Sequence, residues 1–142
     1  MELLHKFEYT LVALLELASS YNSGESLQIK EIAALQNIPV RYLEQLLRTL
    51  RCGGLIKSIR GTKGGYVLAR EPQKITILDA YRCIEGLDAV DTTQKTAEGD
   101  VVEEIWQEAS IASDSILQKY TLFDLCERRQ VRQKQMALMY YI

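Results

Sequence analysis

Arg41, Glu44 and Gln45 fall within a five-residue window and carry three different hydrogen-bonding patterns. A guanidinium can pair bidentately with guanine, a glutamine amide can pair with adenine, and a glutamate can accept from the cytosine amino group. Tyr42, between them, can donate to a phosphate or pack on a thymine methyl. Further along, Arg60 and Gly61 open a glycine-rich stretch, and an arginine there can enter a narrow minor groove, where negative potential is concentrated. Arg48, Arg51, Lys57 and Lys63 suit phosphates, which position a protein on a duplex without reading its sequence. From Arg41 to Lys74 there are eight basic residues and only two acidic ones, Glu44 and Glu71, in a chain whose formal net charge is −2. That concentration marks a localised basic face.

Such a set needs a helix that ends in a groove and a hairpin beside it. Residues 30–36 form a short helix burying Ile32, Ala33 and Leu35, and Asn37 with Ile38 makes a turn. Pro39 starts the next helix, where a missing N–H costs nothing. Val40, Leu43, Leu46, Leu47 and Leu50 give that helix an inward stripe, and Gly53 with Gly54 stops it. Leu55 to Arg60 alternates as a strand, and Gly65 to Ala69 returns. The tip Gly61-Thr62-Lys63-Gly64-Gly65 supplies glycines for positive φ. Helix, turn, helix and hairpin in this order predict a winged helix-turn-helix. Its second helix reads bases with its N-terminal residues, here Pro39, Val40, Arg41, Tyr42, Glu44 and Gln45.

The flanking elements are helical. Phe7, Leu11, Leu14, Leu15 and Ala18 define a first helix over residues 5–21. Thr76 with Asp79, and Thr121 with Asp124, form capping pairs that open two further helices. Leu87 to Asp100 is polar and aperiodic and reads as a loop. Val101 to Tyr120 is the longest helical signal. Its Val102, Ile105, Ala109, Ala112 and Ile116 form a seam suited to packing lengthwise on a second helix, which predicts a homodimer. The final MALMYYI is apolar and needs a cover, which a partner subunit would supply. The expected architecture is mainly α with a small β wing. Residues 1–86 form the winged domain, 87–100 a loop, and 101–142 a dimerisation helix with a C-terminal packing segment.

Composition excludes other classes. No apolar run approaches the roughly 20 residues of a membrane helix, and the charged N-terminus lacks a signal-peptide core. The expected location is the cytoplasm. Cys52, Cys83 and Cys126 are too few and too far apart for a disulfide framework or a CxxC metal site. One histidine, His5, and no nucleophile–base pairing argue against an enzyme. Nine acidic residues between Glu85 and Asp114 offset the basic face, so the acidic sum does not argue against DNA.

The stretch YLEQLLRTLRCGGLIKSIRGTKGGYVLA (residues 42–69), preceded by LQIKEIAALQNI, closely resembles the signature of the Rrf family of IscR, NsrR and CymR type repressors. KFEYTLVALLELA and ITILDAYRCIEG resemble that family's first helix and the helix after its wing. TLFDL with the terminal MYYI is similar to the cysteine-poor CymR branch. The resemblance spans nearly the whole chain. It implies a homodimeric winged-helix repressor on double-stranded DNA with a pseudo-palindromic operator. By position, the recognition helix carries Pro39, Arg41, Tyr42, Glu44 and Gln45, and the minor-groove wing carries Arg60 and Gly61. Many relatives hold an iron–sulfur cluster with three cysteines in the loop after the EG motif. Here residues 87–100 contain none, so no cofactor is expected, and the CymR-like pattern implies control by a partner protein or metabolite. Two alternatives stay open: an iron–sulfur or redox sensor of the same fold, and a winged-helix protein-interaction module.

Overall fold

Leucines at helical spacing set the core. In the computed structural model, which describes residues 2–85 and 97–140, α1 (Glu2–Ser19) buries Thr10, Ala13, Leu14, Leu17 and Ala18. Thr10 fits there because its hydroxyl donates to the Lys6 carbonyl at 2.7 Å. A turn through Gly24 (φ +71°) leads to α2 (Ile29–Gln36), which buries Ile32 and Ala33. Leu35 does not follow them. It is 61% exposed, because it lies roughly 110° around the helix from the middle of that pair. Asn37 ends α2 in the left-handed conformation (φ 53°) that its short amide side chain tolerates.

α3 (Val40–Cys52) buries Leu43, Leu46, Leu47 and Leu50, and its N-cap is Pro39. Val40, expected on the same stripe, is 42% exposed, because the first helical turn projects beyond the core. The helix closes in a Schellman arrangement. Leu55 N–H donates to the Leu50 carbonyl and Gly54 N–H to the Arg51 carbonyl, each at 3.0 Å. Gly54 takes φ +79° there, and the flanking Leu50 and Leu55 are both buried, as the motif favours.

The chain then forms the antiparallel hairpin β1 (Ile56–Ile59) and β2 (Gly65–Leu68), with Ile59 opposite Gly65 and Ile56 opposite Leu68. Leu27 adds a one-residue third rung through two hydrogen bonds with Tyr66, at 3.0 and 2.7 Å. A short 3-10 turn (Pro72–Lys74) precedes α4 (Ile77–Glu85). Thr76 and Asp79 cap α4 reciprocally, each backbone N–H meeting the other's side-chain oxygen at 3.0 and 3.1 Å. Thr121 and Asp124 repeat the device at α6 (Leu122–Tyr140), at 2.9 and 3.2 Å.

Several expected boundaries move: α1, expected over 5–21, is Glu2–Ser19, and the long helix, expected to reach Tyr120, ends at Leu117. α5 runs Ala97–Leu117, so Ala97 to Asp100 are helical rather than loop, with Glu98 and Asp100 in the first turn, where the helix dipole favours acid. Residues 87–96 of the expected loop lie outside the described residues. The last helix extends through the apolar tail as far as Tyr140. Its start belongs to the winged core: Leu122 is fully buried, and its N–H donates to the Ile75 carbonyl while Ile77 N–H donates to the Tyr120 carbonyl, both at 2.9 Å. An expected division at residues 87–100 therefore does not separate α6 from the first domain. α5, by contrast, buries no residue.

Candidate nucleic-acid interface

The amphipathic pattern of α3 decides which side chains face outward. With its leucines turned into the core, Arg41, Glu44, Gln45 and Arg48 are exposed at steps of three, one and three residues, which brings them onto one face. Pro39 and Val40 are exposed at the leading end of the same helix. Tyr42 departs from this group. It is half-buried, one helical step round from Arg41, and its ring meets Tyr9 of α1 edge to face at 5.6 Å. That contact fixes the leading turn of α3 on the core and makes Tyr42 a positioning group first.

The wing carries the remaining residues. Lys57, Arg60, Gly61 and Lys63 are all exposed on β1 and the tip. The tip glycines answer two different demands. Gly61 adopts φ +118°, which a residue with a Cβ resists. Gly64 and Gly65 are needed for space: a Cβ at Gly64 would lie 2.5 Å from the Ile59 carbonyl, and one at Gly65 2.5 Å from the Leu27 carbonyl. Sequence reasoning missed Ile59, which is 44% exposed beside Arg60. Strand alternation was the signal available, since Ile59 falls on the same face as Lys57.

The electrostatics follow from what these cations do not touch. Among the described residues, Arg41, Arg48, Arg51, Lys57, Arg60 and Lys63 form no ion pair. Glu44 does not neutralise Arg41 or Arg48. Arg70 is engaged instead, 3.7 Å from Asp79 and bonded to the Lys74 carbonyl, so it stays with the protein scaffold. A dense set of uncommitted cations on a helix end and a hairpin tip is complementary to a polyanion.

The cysteines lie elsewhere. Cys52 is exposed at the end of α3, while Cys83 in α4 and Cys126 in α6 are half-buried. The Cys83 sulfur sits directly against Gly53, where any Cβ would collide with it. Burial pushes the Cys83 thiol pKa up, Asp79 adds to the rise and Arg70 opposes it. Burial likewise raises Cys126, against the lowering effect of Arg129. Neither is poised as a thiolate.

The fold and this exposed face define a winged-helix DNA-binding regulator. The Rrf2 family, described as an iron-dependent transcriptional regulator, matches residues 3–128, and the chain belongs to it. It is 38% identical to the HTH-type transcriptional regulator CymR of Bacillus subtilis over the full length of both chains. Solved structures agree. The fold matches an IscR from T. potens with a TM-score of 0.74 at 34% identity, covering 90% of this chain and 88% of that one. It matches CymR, the global cysteine regulator of B. subtilis, with a TM-score of 0.70 at 37% identity, covering 87% and 94%. The chain is thus a transcriptional regulator and not an enzyme. No helix among the described residues is long and apolar enough to cross a membrane.

Among the described residues no three His, Cys, Asp or Glu side chains converge on a metal-sized point. Residues 86–96 contain no cysteine at all, and an iron–sulfur cluster needs several converging thiolates. The described residues do not assemble the thiolate set such a cluster requires.

Proposed function

We propose that this regulator works as a homodimeric repressor on a pseudo-palindromic operator. The leading end of α3 enters the major groove, with Arg41, Glu44 and Gln45 on base edges and Pro39 and Val40 against the groove wall. Arg60 and Gly61 at the wing tip enter the adjoining minor groove, and Arg48, Lys57 and Lys63 hold phosphates. The observation that carries this reading is the group of six exposed cations without an ion pair among the described residues, concentrated on α3 and the wing.

Two copies clasp through α5. Val102, Ile105 and Ile116 are 66%, 64% and 54% exposed in the single chain, and Ala109 and Ala112 lie open between them. An apolar stripe of that length on a helix with no fully buried residue calls for a partner helix. The apolar end of α6, with Met136, Leu138 and Met139 exposed, extends the surface that a second copy would cover. The protein acts in the cytoplasm without a bound cluster and takes its signal from a partner protein or a metabolite. A gel shift with wild-type and Arg60→Ala protein tests the reading. The variant is expected to lose affinity while keeping its dimeric mass in sedimentation, and equal affinity of the two proteins contradicts the wing assignment.

A further inference from the structure

A side-chain hydrogen bond ties the wing tip to the turn before α2. Ser26, in the turn before α2, donates its hydroxyl to the Lys63 carbonyl at 2.7 Å. Inside the tip the turn bond is Gly64 N–H to the Gly61 carbonyl at 2.9 Å. The hairpin beneath it has only four residues per strand, and a two-stranded ribbon of that size is marginally stable alone. Leu27 steadies the tip-proximal half of the hairpin through Tyr66, the residue after the Ile59–Gly65 closing pair. Its backbone reaches only as far as Gly65, and beyond it Arg60, Gly61 and Lys63 stand exposed. A Cβ at Gly61 would meet nothing within 4 Å, and its φ is +118°, so no neighbouring atom restrains the tip at that position.

We infer that Ser26 is a positioning residue for DNA reading, because its hydroxyl anchors the Lys63 peptide and thereby holds the Arg60–Lys63 tip in its groove-ready shape. This rests on the wing contacting DNA, as proposed above. Ser26 itself touches no base or phosphate in this scheme. Its contribution is to remove the conformational freedom that an untethered tip would lose on binding.

The test is a double-mutant cycle on a duplex recovered by the intact protein from a random pool. Ser26→Ala is expected to weaken binding about threefold to tenfold, the range spanned by one neutral hydrogen bond. Ser26→Thr, which keeps the hydroxyl, should restore most of the loss. In an Arg60→Ala background, Ser26→Ala should cost less than in the intact protein, because only Gly61 and Lys63 of the tip remain to be positioned. Thermal unfolding should be nearly unchanged by either Ser26 variant. Wild-type affinity in Ser26→Ala, with Arg60→Ala still impaired, overturns the tether and leaves the wing assignment standing. An equal loss in both backgrounds overturns it too, because Ser26 would then act independently of the wing. If Arg60→Ala binds as well as wild type, the wing reading fails and the tether fails with it.

Discussion

Arg41 and Arg60 make different demands on their surroundings, and their variants should separate accordingly. Arg41 leaves α3 at the end that points into a major groove, so Arg41→Ala should cost about 1–3 kcal/mol and relax preference at a single base position. Competition between selected duplexes differing at one position measures this. A uniform loss across all of them would reassign Arg41 to a phosphate. The cysteines differ by exposure. Cys52 is open while Cys83 and Cys126 are half-buried with raised thiol pKa values. Iodoacetamide at neutral pH should therefore label Cys52 first, as peptide mass mapping would show, and earlier labelling of Cys126 would mean that α6 opens readily. At this scale the site was largely legible, because helix periodicity alone turns Arg41, Glu44, Gln45 and Arg48 outward. Tyr42 was the exception. Its place one step round the helix was predictable, but the Tyr9 ring that receives it comes from α1, which sequence spacing cannot bring near.

Elements were legible where their signals are local. The α3 stripe, the Gly53-Gly54 stop and both Thr-x-x-Asp caps are written within a few adjacent residues, and each appears in the fold. The Ala97–Asp100 turn was not, since it carries no apolar repeat and depends on weak propensity and a favourable dipole. The docking of α6 was missed for another reason. Leu122 enters the core where α6 packs on α1 and the 3-10 turn, a long-range contact with no local trace. The α6 cap joins that docked end, so Thr121→Ala should cost about 1 kcal/mol. Leu122→Ala should cost about 2–5 kcal/mol by leaving a cavity. Denaturant unfolding tests both, and a negligible effect of Leu122→Ala would mean that α6 does not pack on the winged core. On α5, Ile105→Asp places a charge in the proposed seam. Sedimentation should then show monomers with an intact winged domain, and an unchanged dimer would move the interface elsewhere.

The whole molecule separates charge by region, with an acidic stretch around α5 and a basic face on α3 and the wing. Three phosphate-holding cations on each protomer, Arg48, Lys57 and Lys63, predict a slope of log affinity against log salt of roughly −3 per protomer engaged. A flat response would remove the electrostatic part of the account. Stability should also depend on alkaline pH. Burial raises the pKa of Tyr81, Cys83 and Cys126 in the folded chain, so the folded state holds these protons more tightly than the unfolded one. The associated stability is fully present below the ordinary thiol value of 9.0 and is lost as pH rises past it. Urea midpoints should fall above about pH 9, and less steeply in a Cys83→Ser, Cys126→Ser variant. Midpoints that hold level in the wild type would contradict the assigned burial. The proposed dimer joins these regions, because clasped α5 helices would set two reading heads at a fixed separation.

Sequencing the duplexes that the purified protein retains from a random pool tests that arrangement most directly. The account predicts an inverted repeat whose half-sites are centred about one helical turn apart, 10–10.5 base pairs, or a multiple of it. Enrichment of a lone half-site, or of no motif, would contradict it.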